Sequence, residues 1–196
     1  MKHITSILLL TLLFLLGCDQ VTEINAPQER IINKQLIKLP EKVGLGVESQ
    51  TYTQDINGAN WSEFQRTFSY QNSSGGTVYQ FGDLDFFPGA FTGTKNISMT
   101  FNTDGAAMEF GPSMQFQARV DYTYKITGLD LTGVNPATLE FVYIDANGNM
   151  YAVDYDYVTM DAATGMLKVV NAVLPHFPGM DSLTNITGVK ANANYI

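Results

Sequence analysis

Short alternating runs separated by turn residues constrain this chain more than anything else in its sequence. The clearest is Ala118-Arg119-Val120-Asp121-Tyr122-Thr123-Tyr124-Lys125-Ile126, which alternates over nine residues. Side chains of a strand point to opposite faces with period two, so such a run buries one face and leaves the other polar. Asn96 to Phe101 alternates strictly, and Asn102-Thr103-Asp104-Gly105 closes it before Ala106 to Phe110. Phe64 to Tyr70 and Thr77 to Phe81 flank the turn Gln71-Asn72-Ser73-Ser74-Gly75-Gly76 and read as a hairpin. Thr138 to Ile144 and Met150 to Thr159 flank Asp145-Ala146-Asn147-Gly148-Asn149, whose Asn-Gly pair tolerates the positive φ of a tight turn. Asp161-Ala162-Ala163-Thr164-Gly165 is the next turn, and Met166 to Leu174 the next strand. No stretch holds a 3.6-residue period over helical length. The expected fold is an all-β, antiparallel, immunoglobulin-like β-sandwich of about eight strands.

The first residues carry a different pattern. Met1-Lys2-His3 is a basic start, and Ile4 to Leu16 is apolar apart from Thr5, Ser6 and Thr11. A helix of that length spans roughly 20 Å, short of the ~30 Å hydrocarbon core, so the run suits a secretion signal better than a membrane span. Leu15-Leu16-Gly17-Cys18 resembles the lipobox of bacterial lipoproteins. The resemblance implies a signal peptide over residues 1–17, cleavage before Cys18 and a diacylglyceryl group on its sulfur. Cys18 is the one cysteine of the chain. The expected location is the bacterial cell envelope, with the choice of membrane open and the folded body outside the cytoplasm.

Removing residues 1–17 takes away Lys2 and no acid. That leaves ten Lys and Arg against nineteen Asp and Glu, a net −9. Such a body lacks the basic surface that nucleic acids require and is repelled by an anionic bilayer. With Cys18 lipidated, no disulfide is available to the rest, so its core alone must hold it. Residues 18–46 are polar and mixed and read as a tether, with an apolar patch at Ile31-Ile32 and Leu36 to Leu39 that docks on the domain. A short helix over 28–37 is the alternative. Residues 47–177 form the expected domain. Residues 178–196 are Gly/Asn-rich, with Ile186 to Val189 as a last edge strand or the whole as a loose tail.

Two segments carry a second resemblance. Leu84-Asp85-Phe86-Phe87-Pro88-Gly89-Ala90-Phe91, and Met108 to Val120 with its Gly111-Pro112, resemble the β-sandwich module shared by zona-occludens proteins, netrin receptors and ankyrins. The match covers about residues 75–125. Met114 stands where that family has Gly, and Ala118-Arg119 replaces its Lys-Pro. The resemblance implies an immunoglobulin-like sandwich that binds protein domains and does no chemistry. Read from the residues themselves, Pro88-Gly89 and Gly111-Pro112 are corners. Phe86, Phe87, Phe91, Phe110 and Phe116 are core plugs.

Catalytic chemistry finds little to work with. Beyond His3 the chain has one histidine, His176, and no Gly-x-Ser-x-Gly elbow. The pairs Asp83/Asp85 and Asp154/Asp156 each share a strand face, but one Trp and three Arg frame a sugar cleft poorly. The expectation is a non-enzyme with no cofactor other than calcium. Calcium would use Asp145, Asn147, Asn149, Asp154 and Asp156 in a calcium-stabilised, adhesion-type domain, although the full spacing of a calcium loop is missing. Tyr143, Tyr151, Tyr155 and Tyr157 are the candidate ligand platform for glycan rings or a partner protein. The leading expectation is a lipid-anchored protein with a structural or protein-interaction role.

Overall fold

A computed structural model describes residues 34–44, 49–144, 150–174, 176–177 and 186–192, with backbone alone at 34–35, 176–177 and 186–192. The described chain is all-β and antiparallel, with one 3-10 turn at Pro136–Thr138 and no α-helix. No described helix is long and apolar enough to cross a membrane. The strands are β1 (Lys34–Leu36), β2 (Ser49–Asn57), β3 (Ser62–Gln71), β4 (Thr77–Phe86), β5 (Thr94–Asn102), β6 (Ala107–Gly111) and β7 (Met114–Gln115). They continue with β8 (Val120–Thr127), β9 (Glu140–Ile144), β10 (Met150–Ala152), β11 (Tyr157–Asp161), β12 (Met166–Val173), β13 (His176–Phe177) and β14 (Ile186–Asn192).

Two sheets dominate. One runs β10-β9-β14-β6-β5-β2, with β1 also paired to β14; the other runs β11-β12-β8-β4-β3. A third, small pair joins β13 to β7. Both large sheets stay open, ending in β10 and β2 in one and in β11 and β3 in the other.

The turn chemistry explains the hairpins. Asn72 Oδ1 accepts the backbone N–H groups of Ser74 and Gly76, which closes the β3–β4 turn. Asp161 does the same for the β11–β12 turn, accepting from Ala163 N–H and Thr164 Oγ1. The chain changes sheet at both predicted corners. Pro88-Gly89, with Gly89 at φ +87°, lies between β4 and β5; Gly111-Pro112 lies between β6 and β7.

The inward side chains of the two sheets meet. Phe101 of β5 lies 5.9 Å from Phe68 of β3, Phe110 of β6 lies 5.0 Å from Tyr122 of β8, and Phe141 of β9 lies 5.8 Å from the same Tyr122. Tyr122 donates its hydroxyl to Met108 Sδ. Each fully buried aliphatic or aromatic side chain contributes about 1.5–3 kcal/mol. The buried polar group Gln80 is satisfied at both ends: it accepts from Tyr124 Oη at 2.7 Å and donates to Asn102 C=O at 2.7 Å.

Several expectations are corrected. Ser49–Asn57 is a full strand that the hydrophobic pattern hides, because Gln54 occupies an inward position. Its amide donates to Glu63 C=O at 3.0 Å and accepts from Arg66 Nη2 at 3.1 Å, bridging the edges of the two sheets. Met150 to Thr159 is not one strand. Ala152 still pairs with Val142, but Asp154 C=O accepts from Val173 and Asp156 N–H donates to Val170, so the chain crosses sheets at buried Val153. Ile186–Asn192 is no edge: it lies between β9 and β6. The short helix over 28–37 is not formed where that range is described, since Lys34–Leu36 is a strand. Ile37 and Leu39 join the core and belong to the apolar patch of the tether that is expected to dock on the domain, so they need no correction. Phe87 is no core plug. Alternation that buries Phe86 completely turns Phe87 outward, 38% exposed.

Candidate functional site

Trp61, Tyr79, Phe87 and Tyr157, exposed rings among the described residues, lie on or at the rim of the five-stranded sheet, whose outer face also carries Glu63, Asp83, Asp85, Lys125 and Lys168. Strand pairing sets that face out in rows. Glu63 stands opposite Asp85, and Asp85 opposite Asp121. One row on, Gln65 faces Asp83 and Asp83 faces Thr123. The next row is Thr67, Phe81, Lys125, Lys168 and Thr159. Beyond it come Ser69, Tyr79 and Thr127.

At the other end, alternation places Trp61 two residues before Glu63, Phe87 two after Asp85, and Arg119 two before Asp121. Phe87 N–H donates to Arg119 C=O, and the Arg119 guanidinium lies 5.9 Å from the centre of the Phe87 ring. Trp61 is 57% exposed and Tyr79 51%.

The electrostatics of this face are unbalanced. Arg119 Nε donates to Asp121 Oδ1, and that bond, with the charge behind it, raises the arginine's pKa. Glu63, Asp83 and Asp85 have no such partner among the described residues. Burial, then the charges of Glu63 and Asp121, push the Asp85 carboxyl up. Asp83 is pushed up to about 6, first by burial and then by Asp85, with Glu63 adding and the Gln65 hydrogen bond opposing. Gln65 Nε2 donates to Asp83 Oδ2 at 3.1 Å and also to Glu63 Oε1. Asp83 Oδ1 is buried with no donor among the described residues. One oxygen from each of Glu63, Asp83 and Asp85 lies within 4.8 Å of the others. That spacing suits a hard cation, which takes six to eight oxygens.

The outer face of the other sheet differs in kind. Thr51 pairs with Thr100 through their hydroxyls at 2.8 Å, and Asn96 donates to Asp55 at 2.7 Å. Small polar groups satisfy one another there.

The four tyrosines of the sequence reading are not brought onto one surface. Tyr143 is 5% exposed in the core, its ring 5.9 Å from that of Tyr151. Tyr151 and Tyr155 pack half-buried against the core, and burial followed by Glu140 raises the Tyr155 pKa. Tyr157 alone is well exposed, at 48%, opposite Val170. The cause is the crossing at Val153, which puts Tyr143 and Tyr151 in one sheet and Tyr157 in the other.

The calcium candidates Asp145, Asn147 and Asn149 lie outside the described residues, as does Cys18. Asp154 and Asp156 are exposed, and Asp156 accepts from Asn171 Nδ2 at 2.7 Å. The described carboxylate cluster is elsewhere, on β3 and β4. Asp83 and Asp85 were visible as a same-face pair. Glu63 and Asp121 join them only through strand register, which no local pattern carries. Trp61, a lone tryptophan just before an alternating run, was the one further hint.

No family model, curated protein or solved structure matches the chain.

Proposed function

We propose that this is a non-catalytic, lipid-anchored protein of the bacterial cell envelope. Its two sheets form an immunoglobulin-like sandwich, held to a membrane through Cys18, and its role is to bind another protein. The lipobox-like Leu15-Leu16-Gly17-Cys18 supports the anchor. The −9 charge left after residues 1–17 supports a body held off an anionic bilayer.

One observation carries the binding role. The outer face of the five-stranded sheet sets exposed Trp61 and Phe87 beside the carboxylates of Glu63 and Asp85, which stand opposite each other. Exposed rings and uncompensated charges are the groups from which interfaces are built. Photo-crosslinking in cells tests this. A crosslinking residue at Trp61 or Glu63 should give adducts, and one at Thr53 on the opposite outer face should give none. Adducts from Thr53 alone would contradict the reading.

A glycan is the second reading, favoured by the same ring row. Rings stack on the apolar faces of sugars, while Arg119 and the carboxylates suit hydroxyl groups. Binding on a glycan array that Trp61→Ala abolishes would select it; an array without binding would remove it.

A further inference from the structure

We infer that one end of the sandwich, the end where the chain enters the fold, is a lipid-facing surface, and that the end bearing Trp61 and Phe87 is held farthest from the bilayer. The inference rests on the reading of Cys18 as a lipid anchor.

The point of entry is fixed. Residues 34–43 form a strap across the end that carries the β3–β4 and β5–β6 turns. In β1, Lys34 pairs with Asn192 and Leu36 with Lys190, beyond Gly188, the last β14 residue paired with β6. Ile37 C=O then accepts from Ala106 N–H at 2.7 Å, and Leu39 N–H donates to Asp104 C=O at 3.1 Å. Tyr70 Oη donates to Pro40 C=O at 2.9 Å. Val43 N–H donates to Gln71 C=O at 3.1 Å, and Ser73 N–H to Glu41 C=O at 2.8 Å. The first half of the strap is thus tied to one sheet and the second half to the other, with Ile37 and Leu39 in the core between them. A pull on Cys18 reaches the fold at Lys34 and is carried by this strap.

Trp61 lies at the opposite end, because β3 runs from Ser62 to Gln71 before reaching the strap, roughly 30 Å. The residues from Cys18 to Lys34 reach at most about 55 Å, which would let the body roll onto that far end. Surface chemistry opposes the roll. Glu63, Asp83 and Asp85 stand beside Trp61 and Phe87, and an anionic bilayer repels them. Glu41, Asp104 and Asp130 are exposed at the strap end, but Lys38, Lys42, Lys125 and Lys168 offset them there. Val43, 57% exposed, and Tyr79, 51% exposed, lie toward the same end, an aliphatic and a phenol of the kind that settle at headgroup level. The face with Trp61 and Glu63 is thereby presented to a partner outside the anchoring membrane.

Trp61 is the one tryptophan of the chain, so its fluorescence reports its own end of the molecule. The test is energy transfer from the full lipidated chain to vesicles of phosphatidylethanolamine and phosphatidylglycerol with dansyl-labelled headgroups. Trp61→Phe/Ser73→Trp moves the donor to an exposed position at the strap end. Trp61→Phe/Asp104→Trp puts it on the neighbouring turn, so the comparison survives if one variant misfolds. Transfer falls with the sixth power of distance, and with ~30 Å between the ends both variants should transfer at least about fivefold more than the wild type. Equal transfer from the two ends, or stronger transfer from Trp61, would overturn the inference and leave the anchor standing. A chain that does not float with the vesicles would overturn the anchor and the inference with it.

Discussion

Asp85 lies directly opposite Asp121 on the neighbouring strand, and Glu63 flanks Asp85 on its other side. Three carboxylates in one row cost the sheet about 0.2–1 kcal/mol per like-charged pair. Arg119 relieves Asp121, and the remaining repulsion reaches Asp83 in the next row. The fold keeps this charge although an alternating strand could carry threonine there at no loss.

That repulsion has a pH signature. Asp83 ionises near 3.8 when unfolded and at about 6 when folded. Between those values the folded chain keeps a proton that the unfolded chain has lost. The group's contribution is therefore fully present below about 4, falls as pH rises to about 6, and stays low above it. Asp83→Asn removes the charge. Its thermal midpoint should match the wild type at pH 4 and exceed it by about 2 °C at pH 7.5, a modest gain because solvent screens this half-exposed group. Scanning both proteins across that range checks it; a difference independent of pH would contradict it.

Gln80 links the sheets by accepting from Tyr124 and donating to Asn102. Gln80→Leu leaves a buried hydroxyl and a carbonyl without partners and should cost about 3 kcal/mol in urea unfolding. Tyr124→Phe strands one acceptor and should cost about 1–2 kcal/mol. The pair should be non-additive, because both changes break the same bond.

Two glycines separate rigid from yielding surroundings. At Gly165, φ +62°, an added Cβ would meet Leu129 C=O at 2.3 Å; at Gly82 it would meet the Met108 and Met99 side-chain ends at 2.6 and 2.8 Å. Backbone cannot step aside, whereas methionine can. Gly165→Ala should cost more than about 2 kcal/mol, and Gly82→Ala about 1–2 kcal/mol. Chemical denaturation of the two variants ranks them.

Trp61 should separate stability from binding. It is mostly exposed, so Trp61→Ala should change stability by less than about 0.5 kcal/mol. The same change should abolish crosslinking from Glu63. A large loss of stability instead would make Trp61 a packing residue.

The legible part of the fold is the part set by local chemistry. Asn72 and Asp161 announced their turns, and the alternation at Asn96 to Phe101 and Ala118 to Ile126 announced β5 and β8. The rest needed tertiary facts. Gln54 fills an inward position because Arg66 and the Glu63 carbonyl satisfy it, so β2 has too few apolar residues to stand out. Met150 to Thr159 is strand-like in composition throughout, and composition does not say which sheet a residue joins. Ile186–Asn192 is poor in large apolar residues yet sits between two strands. The candidate face was legible only as Asp83 and Asp85. Glu63 and Asp121 come from distant strands, and only their register makes them a row.

Attachment through Cys18 is the claim on which the functional account stands, and mass spectrometry of the chain purified from the membrane fraction tests it most directly. The account predicts a protein that begins at Cys18 and carries a diacylglyceryl group on its sulfur. A soluble chain that still begins at Met1, or an unmodified Cys18, would contradict it.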